Sequence, residues 1–136
     1  MKSKAVLQET EVSQILAAAK AYAQDKGWAV TISVVDDGGH LLGLTRLDGA
    51  APISAHISPA KAHTAALGQR ATKTYEDIIN NGRTAFLSAP LIQGMLEGGV
   101  PVVVDGQVIG AVGVSGVQSN QDVEIAEAGI AALGLK

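Results

Sequence analysis

Two apolar runs near the carboxyl end, Val100 to Val104 and Val108 to Val114, flank Asp105-Gly106. An Asp-Gly pair between β-branched runs predicts a tight antiparallel hairpin, because both loop residues accept positive φ. Pro101 lacks an N–H, which puts the first run at a strand start or on a sheet edge. In the second run Val108, Gly110, Val112 and Val114 share one face, and Ile109, Ala111 and Gly113 share the other. Both faces are apolar. The strand is therefore expected to be covered on both sides, for instance by helices on one and a second subunit on the other. Gly110, Gly113 and Gly116 let another backbone or a flat ligand approach closely.

Upstream, Val12, Ile15, Leu16, Ala19, Tyr22 and Ala23 recur at three- and four-residue spacing and predict an amphipathic helix. Thr10 is its expected N-cap, with Lys26 in the last turn and Gly27 just beyond. Trp28 to Val35 alternates as a strand, Asp36 to Gly39 reads as a turn, and His40 to Leu47 as the returning strand. Ser58-Pro59 reads as an N-cap followed by proline at the first helical position, opening an alanine-rich helix through Leu67. Lys73 to Asn80 adds a further helical turn or two. Phe86 to Met95 has no deciding period and reads as a short strand or loop, with a helical turn around Ile92. Ser119 or Asn120 caps a last helix, whose apolar face is Val123, Ala126, Ile130 and Leu133. Gly129 beside that face permits close approach of a neighbour, and Gly134 stops the helix. The tight turns demand antiparallel pairing. The order predicts one mixed α/β (α+β) domain over residues 1–136, a five-stranded antiparallel sheet with helices packed on it.

Composition narrows the chemistry. The chain is 47% hydrophobic but only 3% aromatic, with 16 glycines, so its core is built from small aliphatic side chains at close range. Net charge is −3 and the basic residues are scattered, which argues against a nucleic-acid partner. No apolar run approaches the roughly 20 residues that cross a bilayer, and the polar start MKSKAVLQETE lacks the apolar region of a secretory signal. A cytoplasmic location is expected. With no cysteine, disulfides, thiolate nucleophiles and cysteine-held metals are excluded.

Several ordered motifs resemble one family. They are Val35-Asp36 through Gly39, Arg46-Leu47-Asp48-Gly49-Ala50, Ile57 through Ala65, Gly98-Gly99-Val100-Pro101, and Asp105 through Gly116, with Asp122 opening the final helix. Together they resemble the GlcG/HbpS family, which also includes the C-terminal domain of PduO-type proteins. The resemblance implies a profilin-like fold with a five-stranded antiparallel sheet, and homo-oligomers. It also implies a link to haem in some members and to corrinoid or glycolate metabolism in others. Val117 departs from the pattern, standing where members often carry a second glycine after Ser-Gly.

Candidate site residues follow from residue chemistry. His56 and His63 are the imidazoles placed to touch a ligand, against the plainer alternative of partly exposed polar residues; His40 reads as a surface strand residue. Lys61 sits in the alanine-rich helix, where an ammonium needs water or an acceptor. It either anchors an anion at a pocket mouth or forms a structural ion pair with Asp36 or Asp48. Thr64, one turn on, could bond the same ligand or the Ala60 carbonyl. Arg46 offers a planar fork for a carboxylate, an internal aspartate being the plainer partner. Gly98-Gly99 can present backbone N–H groups to an anion or a haem propionate. The expected function is small-ligand binding, of haem or another tetrapyrrole, in a pocket between the Lys61 helix and the Gly98-Gly99 loop. The alternatives are an enzyme acting on a small organic acid, with Lys61 as anchor and a histidine as acid/base, and a non-catalytic accessory or scaffold subunit.

Overall fold

The first helix, α1 (Glu9–Lys26), opens with a reciprocal cap: the Gln8 N–H donates to Glu11 Oε1 at 3.0 Å, and the Gln8 side chain accepts from the Glu11 N–H. The cap thus lies two residues before the expected Thr10. Gly27, at φ 73°, ends the helix as foreseen. The computed structural model describes residues 1–135; Lys136, the last residue of the expected domain, lies outside them.

The elements that follow are β1 (Thr31–Asp36), β2 (Leu41–Arg46), α2 (Ser54–Gly68), α3 (Thr72–Asn80), a 3-10 turn (Thr84–Ser88), β3 (Gly99–Val104), β4 (Gln107–Ser115) and α4 (Ser119–Ala131). The sheet has four strands in the order β2-β1-β4-β3, antiparallel throughout. The expected fifth strand is therefore corrected. The Phe86 to Met95 stretch begins in the 3-10 turn, then passes Pro90 and Leu91 at φ 68°, a backbone course that no strand follows. Its Gly94 N–H goes to the Thr64 hydroxyl at 3.0 Å, so it is satisfied by a side chain instead of a ladder. Asp105 and Gly106 both take positive φ, 51° and 74°, as the hairpin requires.

Helices cover both faces of the sheet. Ile32, Val34, Val112 and Val114 pack with Ile15, Ala19, Ala23, Ile125 and Ala126 of α1 and α4. On the opposite face Val35 and Ala111 pack with Ala62, Ala65 and Ala66 of α2. The second cover of β4 thus comes from the chain's own α2, and a second subunit is not needed for it. Gly113 faces α2 so closely that a Cβ there would stand 2.2 Å from the Ser58 carbonyl oxygen. Gly129 does the same work between α4 and α1, where a Cβ would meet the Ile15 carbonyl oxygen at 2.9 Å.

α2 starts at Ser54, four residues before the expected cap, and carries Pro59 inside. Proline there removes one helical N–H. Ser54 and Ser58 are used differently from caps: both point at the sheet. Ser58 Oγ donates to the Gly113 carbonyl at 2.8 Å and accepts from Ser33 Oγ at 2.8 Å. Ser54 Oγ donates to Ala51 O and lies 2.8 Å from Thr31 Oγ1. These buried hydroxyls fix the rotation of α2 on β1 and β4, and so decide which α2 side chains face outward.

Candidate functional site

Lys61, on the sheet side of α2, is buried. Its ammonium donates to the Val114 carbonyl at 2.9 Å and to Asp122 Oδ2 at 3.1 Å. The ion-pair alternative holds, but the partner is Asp122 of α4, which corrects Asp36 and Asp48. Asp122 Oδ1 also accepts the Val117 N–H at 3.3 Å, so this one carboxylate ties α2, β4 and the β4–α4 loop together. Burial pushes the Asp122 carboxyl up from its usual range, while the Lys61 charge and its hydrogen bond pull the other way.

The space between α2 and the Gly98-Gly99 loop is closed. A Cβ on Gly98 would lie 2.6 Å from Lys61 Nζ, and one on Gly99 2.5 Å from the Lys61 carbonyl oxygen. The Gly99 N–H donates to Thr72 Oγ1 at 2.8 Å, and the Gly98 carbonyl accepts from the Val114 N–H at 3.0 Å. The expected pocket there is thus filled by the chain itself, because two glycines admit helix backbone and not a guest. Thr64 is buried and accepts from the Gly94 N–H, so the Ala60 alternative for its hydroxyl is replaced by a loop contact. Arg46 donates to the Ala50 carbonyl at 2.9 Å, so the expected aspartate pair is replaced by a loop contact. His56 is exposed on α2.

His63 stands apart from these. It is half-buried on α2 against the β1–β2 turn and borders a hollow of about 400 Å³ with Val35, Gly39, Leu41, Pro59, Ala60, Leu91 and Gln93. The lining is mostly apolar, and the volume lies in the range of small-molecule sites. His63 Nδ1 is 3.0 Å from the Gly39 carbonyl. A carbonyl can only accept, so Nδ1 carries the proton, and Nε2 of the neutral ring keeps its lone pair. Among the described residues no buried side-chain nitrogen lacks a partner, and Nε2 has none, so Nε2 is open to solvent or a ligand.

The carbonyl that orients His63 comes from the β1–β2 turn. Asp36 Oδ1 accepts from the Gly38 N–H and the His40 N–H, each at 2.9 Å, and lies 3.1 Å from His40 Nδ1. His40 is thus exposed as expected, but it folds back on the turn. Burial resists ionisation of Asp36, yet the two backbone N–H groups and the His40 ring together hold its pKa below the usual value. A depressed carboxylate stabilises the fold above the unfolded-state pKa of about 3.9 and loses that contribution as pH falls through the lower folded value. Protection of the Gly38 and His40 amides, taken relative to intrinsic exchange at each pH, is accordingly expected to fall as pH drops below about 4, while amides of β4 stay protected; equal loss at both places would show that the turn has no acid sensitivity of its own.

A family profile described as "Haem degrading protein HbpS-like" matches residues 7–131. The chain belongs to the HbpS-like family. It is 62% identical over 115 residues to Protein GlcG of Escherichia coli, covering 85% of each chain. Among solved structures, a "PduOC:Heme Complex" superposes with a TM-score of 0.88 at 30% identity, over 97% of this chain and 98% of the other. A double mutant of HbpS from Streptomyces reticuli also gives 0.88 at 30% identity, over 98% and 91%. Within the HbpS-like frame, His63 was legible as a candidate from its residue type. Gly39, Leu41, Leu91 and Gln93 were not, since two separate segments bring them to α2. The one signal available was Asp36-Asp37-Gly38-Gly39, in which Asp two residues before Gly marks a turn closed by its own side chain.

Proposed function

We propose that this HbpS-like chain is a small-ligand-binding domain for haem or a related tetrapyrrole, and that the ligand sits in the hollow beside His63. The observation that carries the reading is the His63 ring, held by the Gly39 carbonyl through Nδ1 with Nε2 unpartnered, on a residue that lines a partly apolar hollow. That arrangement suits a haem iron, because imidazole ligands in such sites keep one nitrogen on a backbone acceptor and give the other to the metal. Support also comes from the related PduOC structure, a haem complex. His63 would hold the iron, and Val35, Leu41 and Leu91 would cover the macrocycle. Bound iron would supply a redox-active Lewis-acid centre. Among the described residues no lysine or arginine borders the hollow, so no cationic side chain there would pair with the propionates. The enzyme alternative, with Lys61 anchoring a small acid, gains nothing from this geometry, since Asp122 and Val114 already occupy the ammonium.

Hemin titration tests the reading. The purified chain is expected to give a saturable Soret shift with the spectrum of an imidazole-ligated iron. His63→Ala is expected to abolish that spectrum and weaken binding at least about tenfold, while His56→Ala leaves both unchanged. A chain without a saturable shift, or a His63→Ala variant with the parent spectrum, overturns the assignment.

A further inference from the structure

The loop that orients His63 is itself built around a single carboxylate. Asp36 ends β1, and its Oδ1 gathers the N–H groups of Gly38 and His40. The Asp36 N–H donates to the His40 carbonyl at 2.9 Å, and the Gly39 N–H to the Asp36 carbonyl at 3.0 Å. Four hydrogen bonds in five residues leave the turn one shape. In that shape Gly39 takes φ 80° and its carbonyl faces α2. A Cβ at Gly39 would lie 2.5 Å from His63 Nδ1, so the turn backbone rests directly on the ring. Among the described residues every side-chain bond of Asp36 stays within this turn.

We infer that Asp36 is a positioning residue for His63: by closing the 36–40 turn it sets the Gly39 carbonyl on Nδ1 and thereby selects the tautomer whose free nitrogen is Nε2. The selection of the tautomer belongs to the ligand-free chain; its effect on iron ligation rests on the haem reading above. A metal-ligating imidazole depends on its backbone acceptor for both ring angle and basicity, and loss of such a partner costs about 10- to 100-fold in affinity. Here the acceptor is one link further out, so Asp36 acts through the loop and touches no ligand.

The experiment uses ¹⁵N-labelled full-length chain without ligand at neutral pH, with long-range proton–nitrogen correlation of the histidine rings. The parent chain is expected to show His63 protonated at Nδ1. Asp36→Ala is expected to give a mixture shifted toward the Nε2-protonated form, and about tenfold weaker hemin binding. Asp36→Asn keeps an oxygen for the Gly38 and His40 N–H groups and is expected to restore both readouts. An Asp36→Ala chain whose His63 stays protonated at Nδ1 overturns the inference. Should that variant not fold, Asp36→Ser, whose hydroxyl closes such turns more weakly than a carboxylate, is judged by the same tautomer readout. If the parent chain fails to bind hemin, the haem reading falls, while the tautomer comparison still decides the role of Asp36.

Discussion

Lys61→Ala is expected to lower folding stability by about 3–5 kcal/mol, the usual cost of breaking a buried ion pair from one side. The size follows from what is left behind. Asp122 is as buried as Lys61, and its Oδ2 would lose the Lys61 donor that balances its burial. The Val114 carbonyl would lose its Lys61 donor as well. The pH dependence gives a second check. Burial already raises the Asp122 pKa, and removing the ammonium takes away the main influence that lowers it. A carboxyl whose folded pKa lies above its unfolded value favours the folded state most when protonated, and this advantage disappears as pH rises through the folded value. The variant is therefore expected to recover part of its loss on acidification from neutral pH, where the parent recovers less. A Lys61→Met, Asp122→Asn pair keeps an acceptor for the Val117 N–H and removes both charges. It is expected to regain most of the stability, as paired replacement of buried ions does. Urea titration measures all three; a single-variant loss under about 1 kcal/mol, typical of an exposed pair, would show that the contact is not desolvated.

That ion pair also marks where sequence reading stops. A lysine in an alanine-rich helix announces the need for an acceptor, but its partner lies 61 positions away in α4, and only the fold brings it there. Local chemistry was readable. Asp105-Gly106 set the hairpin and its positive φ values, and the α1 period found Ile15, Ala19 and Ala23 on the core side. Ser58-Pro59 misled because serine before proline is a helix-start signal in isolation. In the structure the Ser58 hydroxyl answers Ser33 and Gly113 across the layer, and the helix continues through Pro59. The count of five strands failed for a related reason. An aperiodic segment that reads as a short strand or loop supplies the fifth strand of that count, whereas its Gly94 fits against the α2 backbone at Ala60. The candidate site divides the same way. His63 is visible as a residue type, but its hollow and the Gly39 carbonyl depend on the packing of the β1–β2 turn onto α2.

Glycine at 113 is the sequence feature on which that packing depends, and Gly113→Ala is expected to cost about 3 kcal/mol, the upper part of the range for overpacked cores. The added methyl would meet Ser58 O at 2.2 Å and Ala62 N at 2.5 Å, both backbone atoms that no rotamer change can move. Trimming the neighbouring side chain with Ala62→Gly therefore cannot restore stability. Gly27→Ala supplies the contrast: nothing lies within 4 Å of a Cβ there, and only the left-handed φ of 73° is penalised, at about 1–2 kcal/mol. The two losses also differ in reach. Relief of the Gly113→Ala clash requires α2 to lift from β4, and His63 follows Ala62 on that helix. The Gly39 carbonyl stays with the β1–β2 hairpin, so the 3.0 Å contact to Nδ1 must lengthen. Gly113→Ala is thus expected to loosen the His63 ring as well as the core, seen as tautomer mixing in the ligand-free chain, whereas Gly27→Ala leaves the ring unchanged. A Gly113→Ala chain of parental stability with an unaltered His63 spectrum would mean that α2 does not sit on β4 through this glycine.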